Sequence, residues 1–87
     1  MKDYFVYIVE CADGTYYTGI TTDIERRVLE HNHSFKAAKY TRSRRPVRLV
    51  YSVIIGTRSE ASKEEYRIKK LNRKNKIDLI NISKNTK

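Results

Sequence analysis

Tyr7 and Tyr17 stand on either side of Ala12-Asp13-Gly14. Taken as a three-residue hairpin loop, a type I turn closed by Gly14 in the left-handed conformation, that segment sets Val9 opposite Tyr17 and Tyr7 opposite Gly19. The two phenols then become diagonal neighbours on one sheet face. Gly19 leaves bare backbone beside Tyr7, and a glycine inside a strand often marks a close approach by a ligand or another chain. Two packed tyrosines with a bulge-forming glycine would leave the same trace.

A second group lies on two helices. Arg27 and His31, spaced i, i+4, share one helix face, where a phosphate would find a guanidinium fork and an imidazole. His33 falls at the exposed helix end. Further on, Ala61, Glu65, Ile68 and Leu71 form one stripe by helical spacing. A carboxylate in an apolar stripe costs several kcal/mol, by order of magnitude, if left unpaired. Glu65 must therefore meet a cation, either a basic side chain in a buried ion pair or a metal ion. Glu64, one residue earlier, turns towards solvent.

These residues need a scaffold to bring them together. Tyr4 to Glu10 is rich in β-branched and aromatic residues and predicts a strand, and Thr15 to Ile20 is its return. Thr22-x-x-Glu25 reads as a capping box that opens a helix from about Asp23 to Asn32, with Ile24, Val28 and Leu29 inward. Residues 33–46 are basic and poorly periodic, a loop with a short helix near Lys36 to Tyr40. Val47 to Ile55 alternates as a third strand with Val47, Leu49, Tyr51, Val53 and Ile55 on one face. Thr57-x-x-Glu60 is a second capping box for a helix running to about Leu71, and Asn75 caps a last helix carrying Ile77, Leu79 and Ile80. The order β-β-α-(α)-β-α-α predicts an α+β domain: a small three-stranded antiparallel sheet flanked by helices. The domain is expected over residues 1–82, with 83–87 a frayed tail.

Composition narrows the partner. Nineteen Lys and Arg oppose ten Asp and Glu, a net charge of +9. No acid lies between Glu30 and Glu60, a stretch holding Lys36, Lys39, Arg42, Arg44, Arg45, Arg48 and Arg58. A second acid-poor block holds Arg67, Lys69, Lys70, Arg73, Lys74 and Lys76. Such blocks on a small domain predict a polyanion, most simply nucleic acid, over a membrane surface. No apolar run approaches the roughly 20 residues of a membrane span. The start of the chain does not read as a signal peptide, so a cytoplasmic setting is expected. Cys11 is expected to be a buried, unreactive thiol at a strand end.

Phe5-Val6-Tyr7, followed after nine residues by Tyr17-Thr18-Gly19, resembles the paired signature of the GIY-YIG nuclease superfamily. The run from Thr21 to Asn32 is similar to that family's arginine helix, and Ala38 to Arg42 and Glu65 to Lys69 extend the resemblance to nearly the whole chain. It is nearest to the short, single-domain YazA/YhbQ-like bacterial proteins. Phe5 replaces the first glycine of the signature and Thr18 its second isoleucine.

The resemblance implies a division of labour. Tyr7 would take the proton from the attacking water, Tyr17 would orient the site, and Arg27 would hold the phosphate and stabilise its developing charge. His31 would assist by hydrogen bonding or proton transfer, and Glu65 would bind a single Mg²⁺ or Mn²⁺. Lys39 or Tyr40 matches a further basic or polar site position, and both, with Arg42, Arg44 and Arg45, are expected to contact nucleic acid. A free tyrosine loses its proton near pH 10, so cationic neighbours and a metal are expected to bring Tyr7 towards the working range. The function implied is a metal-dependent endonuclease acting on DNA, with RNA a second possibility for the substrate. The alternative is a nucleic-acid-binding module on the same fold that cuts weakly or not at all.

Overall fold

The computed structural model describes residues 2–85. Its elements are β1 (Tyr4–Glu10), β2 (Tyr16–Thr21), α1 (Ile24–His33), α2 (Lys39–Arg42), β3 (Arg48–Gly56), α3 (Arg58–Lys69) and α4 (Arg73–Asn85). The three strands form one antiparallel sheet in the order β2-β1-β3. The architecture is the expected α+β one. Helix α4 runs through Asn85, so residues 83–85, expected in a frayed tail, are helical; Thr86 and Lys87 lie outside the described residues.

The hairpin loop has the expected form. Cys11 N–H donates to Thr15 O at 2.8 Å, Gly14 N–H to Cys11 O at 2.9 Å, and Gly14 has φ 84°. Asp13 accepts from both the Thr15 amide and its hydroxyl, which fixes the turn. The register follows, with Tyr7 opposite Gly19 and Val9 opposite Tyr17. A register one residue away would have put the tyrosines on opposite faces.

Strand alternation divides the core into two layers. Val6 and Ile8 pack with Ala61 and Ile68 of α3 and Ile80 of α4. Tyr7 and Val9 pack on the other face with Cys11, Val47, and Ile24 and Val28 of α1. The single alternation expected along the third strand is interrupted. Ile8 pairs with Tyr51 but Val9 with Leu49, so Val50 is an extra residue in a bulge. The bulge turns Leu49 away from the side that Tyr51 and Val53 occupy, towards Ile24 and Val28.

Helix caps differ from expectation in two of three places. The N-cap of α1 is Asp23, whose carboxylate accepts from Arg26 N–H, rather than Thr22. Asn72, not Asn75, caps α4 by accepting from Asn75 N–H at 2.8 Å. The Thr57–Glu60 box at α3 is reciprocal, as predicted. Leu29, expected inward, is 61% exposed. Glu64, expected to turn towards solvent, is only slightly more exposed than Glu65, 27% against 21%, and it holds Arg67 at 2.8 and 2.6 Å. Thr18, where the family signature has isoleucine, buries a hydroxyl that has no hydrogen-bond partner among the described residues.

Candidate active site

Tyr7 lies on the central strand, facing α1, and is 1% exposed. Its Oη is 2.7 Å from Nε2 of His31, which α1 presents on its fully buried side. Nδ1 of His31 is 2.7 Å from Oγ1 of Thr41 in α2, and the Thr41 hydroxyl donates to Ala38 O at 3.1 Å. Proton counting assigns the directions along this chain of bonds. The one proton of the Thr41 hydroxyl goes to Ala38 O, an acceptor only, so Thr41 Oγ1 accepts from His31 Nδ1 and the Tyr7 proton is left to find an acceptor. The acceptor beside it is His31 Nε2. His31 is then the Nδ1–H tautomer and donates to Thr41, whose proton passes on to Ala38.

Burial pushes the Tyr7 phenol up to about 12, against the nearby Arg27 guanidinium, which pulls it down. Burial, aided by the Arg27 charge, holds His31 down at about 4. Both groups are therefore neutral at pH 7. The expectation that cations bring Tyr7 towards the working range is overturned for the protein alone. Arg27 acts in that direction, but desolvation outweighs it.

Arg27 is set by its surroundings. One Nη1 donates to Glu30 Oε1 and to Lys36 O, both at 3.0 Å, so the guanidinium is held before any ligand arrives. An open cleft lined in part by Thr21, Thr22, Arg26, Arg27, Glu30 and Arg58 lies alongside. Its three guanidinium groups make it a receptive place for phosphate.

Tyr17 sits 6.5 Å from Tyr7 and 5.4 Å from His31, ring centre to ring centre. It stacks on Tyr40 at 6.1 Å and 25°, and the Arg44 guanidinium lies 4.0 Å from the Tyr40 ring centre. The absence of a side chain at Gly19 makes this arrangement possible. A Cβ there would stand 2.6 Å from Tyr7 Oη.

Glu65 comes from α3, yet its charge reaches Tyr7 and acts to raise the phenol. Its carboxylate is 3.4 Å from Lys69 Nζ, and that ammonium is 6.0 Å from the Tyr17 ring centre. The cation required for Glu65 is thus a half-exposed lysine one turn along, an ion pair worth only about 0.3–0.5 kcal/mol. Among the described residues no group of three or more His, Cys, Asp and Glu side chains converges as a metal cage. One carboxylate nevertheless fits Mg²⁺, which keeps several waters and takes phosphate oxygen as a ligand.

The basic residues of the 36–48 segment divide into two kinds. Lys36 and Lys39 face solvent. Arg45 donates from Nε to His31 O at 2.5 Å and from Nη2 to Ser34 O, closing the last turn of α1. Arg44 bridges Asp13 at 3.1 Å and Tyr40 O at 2.7 Å, and Arg42 donates to Phe35 O at 2.8 Å. Both Arg44 and Arg45, expected on phosphate, thus have their guanidinium groups engaged within the fold. Thr41 and Asn32 were not foreseen. Asn32 bonds both the N–H and the C=O of Val47 and fixes the entry to β3, as a strand neighbour would. Thr41 lies inside a segment of family resemblance, but its hydroxyl could be placed against His31 only through the fold.

A three-stranded sheet whose hairpin tyrosines meet an arginine helix defines a GIY-YIG catalytic domain. The chain belongs to the GIY-YIG family, whose catalytic-domain model matches residues 3–78. That superfamily is one of nucleases, which act on nucleic acid. A UPF0213 protein of Desulfotalea psychrophila is 62% identical over 80 residues, covering 92% of this chain and 73% of that protein. Another from Staphylococcus saprophyticus is 50% identical, covering 92% and 96%. Two solution NMR structures share the fold. A UPF0213 protein of Bacillus halodurans has TM-score 0.59 and 46% identity, covering 92% of this chain and 84% of that one. A protein of E. faecalis has TM-score 0.66 and 39% identity, covering 100% and 92%. Among the described residues no helix is long and apolar enough to cross a membrane.

Proposed function

We propose that this chain is a divalent-metal-dependent phosphodiesterase that hydrolyses the nucleic-acid backbone, DNA in preference to RNA. The observation that carries the reading is Tyr7 Oη, 2.7 Å from the His31 imidazole and within the electrostatic reach of the Arg27 guanidinium. As water attacks phosphorus, Tyr7 takes its proton while handing its own to His31, which is neutral and has Nε2 free to accept. Arg27 holds the phosphate and stabilises the charge that gathers on its oxygens. Tyr17, fixed by Tyr40, limits where the scissile group can sit. Glu65 would hold Mg²⁺ or Mn²⁺ once Lys69 swings aside, and the ion would supply Lewis-acid stabilisation of the phosphate.

The 1% exposure of Tyr7 favours the second reading, a binding module whose phenol never reaches water. One experiment separates the two. Wild type, Tyr7→Phe and Glu65→Gln are incubated with single-stranded, flapped and branched DNA and RNA, with Mn²⁺, Mg²⁺ or chelator. Metal-dependent cutting by wild type, lost in both variants, supports hydrolysis. Because Glu65 pairs only with a half-exposed lysine, Glu65→Gln should melt within about 0.5 kcal/mol of wild type. Binding without cutting by the wild type under every metal condition would leave the binding module.

A further inference from the structure

Phe35, between α1 and α2, is 82% exposed. Its side chain meets no other ring and no cation among the described residues, whereas Tyr17 and Tyr40 already stack on one another and Tyr66 carries the Lys70 ammonium. The backbone beneath it is firmly held. Arg42 donates to Phe35 O at 2.8 Å, and Arg27 donates to Lys36 O at 3.0 Å. Lys36 N–H donates to Ser34 Oγ at 3.0 Å and Ala37 N–H to Ser34 O at 3.2 Å, while Ala37 is buried. The ring is thus displayed by a fixed loop, one residue from the carbonyl that positions Arg27.

The surroundings specify the ligand. Phe35 has Lys36 and Lys39 near it in sequence, both exposed, and no carboxylate lies between Glu30 and Glu60. An apolar protein surface would gain little from that ring of positive charge. A polyanion that also carries flat aromatic groups matches both features, and bases stack on aromatic side chains whatever their sequence. In a continuous duplex each base is already stacked on both sides, and exposing one costs a few kcal/mol.

We propose that Phe35 stacks on an unpaired nucleobase adjoining the phosphate held by Arg27, making single-stranded, flapped or branched nucleic acid the substrate class. This rests on the nuclease reading above and adds the structure of the target to it. Holding the backbone beneath the ring in place beforehand lowers the ordering cost of capture.

The test measures binding in chelator, where no metal-dependent cutting contributes. Wild type, Phe35→Ala, Phe35→Leu and Phe35→Trp are titrated with a single strand, a flap and a blunt duplex of equal phosphate number. Phe35→Ala and Phe35→Leu should weaken strand and flap binding roughly tenfold or more while leaving duplex binding unchanged. Phe35→Trp should keep wild-type affinity, and its emission should be quenched by the single strand. Wild-type affinity in Phe35→Leu, or equal losses on all three probes, overturns stacking. Unchanged strand binding in Phe35→Ala also overturns it. A chain that shows the selective loss but never cuts refutes the hydrolase and leaves the stacking intact.

Discussion

Tyr7 and His31 share a 2.7 Å hydrogen bond between groups whose proton affinities burial has driven apart, the phenol up to about 12 and the imidazole down to about 4. Proton transfer from one to the other in the protein alone is uphill. The pair is therefore stable as neutral phenol and neutral imidazole. Under the hydrolysis proposed above, it would become a proton path only when a phosphate, an ion and an attacking water change the charge around Tyr7. Burying the tyrosine would then keep the base inactive until substrate arrives.

Thr41 decides which nitrogen of His31 faces Tyr7. It accepts from Nδ1 and so leaves Nε2 as the acceptor. Thr41→Val keeps the shape but removes the acceptor, so the Nδ1–H preference should weaken and the ¹⁵N shifts of His31 should move towards a mixed tautomer. An unpartnered buried N–H should also cost about 1–3 kcal/mol in a melt. Cleavage should fall in kcat more than in KM, with Thr41→Ser restoring both the spectrum and the rate. Unchanged His31 shifts in Thr41→Val would remove Thr41 from the proton path.

Stability should depend on pH through the same histidine. Its folded value lies below the unfolded one, so between about 4 and 6.5 the unfolded chain binds the proton that the folded chain refuses. Stability is fully present above about pH 6.5 and falls as the solution is acidified towards pH 4, by on the order of 3 kcal/mol from this group. Denaturant melts of wild type and His31→Gln check it, since the variant should lose most of that slope. An equal slope in both would assign it to the carboxylates.

Gly19 is the narrowest point of the site. A methyl there would stand 2.6 Å from Tyr7 Oη and 2.8 Å from Cζ, and the ring it meets is buried and cannot swing aside freely. Gly19→Ala should therefore displace Tyr7 from His31, cost about 1–3 kcal/mol, and abolish cleavage. Gly14→Ala serves as a comparison: nothing lies within 4 Å of its Cβ, so the change acts only through a φ of 84° and should leave the rate per folded molecule intact. A Gly19→Ala protein cutting at the wild-type rate would disprove the need for that close approach.

The hairpin was legible because its loop and register are local. Ala12-Asp13-Gly14 fixed the turn, the turn fixed Tyr7 against Gly19, and the period of two put Tyr17 on the same face. The two reciprocal features of α3, its capping box and its buried Ala61–Ile68 stripe, were equally local. The caps of α1 and α4 failed locally, by one and three residues, but the larger failures involved packing between elements. The Val50 bulge depends on how β1 meets β3, so alternation alone misplaced Leu49. Lys69 as the cation for Glu65 was available at i+4, but spacing does not distinguish an ion pair from a metal seat. The desolvation of Tyr7 depends on packing by α1 and β1 together, and counting nearby arginines pointed in the wrong direction.

The positive residues of the 36–48 segment carry two different functions that charge alone cannot separate. Arg45 meets the carbonyls of His31 and Ser34, so its loss exposes the last turn of α1 and loosens the helix that presents both Arg27 and His31. Arg45→Ala should cost roughly 2–3 kcal/mol, because several buried acceptors lose a charged donor at once. Lys36 and Lys39 use only backbone groups within the fold and leave their ammonium groups in solvent. The double change Lys36→Ala with Lys39→Ala should leave the melt within about 0.5 kcal/mol of wild type. Its effect belongs to binding: the slope of log K against log salt should become shallower by up to about 1.8 on duplex DNA, about 0.9 for each phosphate that is no longer neutralised. Salt titrations and melts of the two variants should thus move opposite quantities. An unchanged salt slope in the lysine pair would place the phosphate path elsewhere, on the cleft of Arg26 and Arg58.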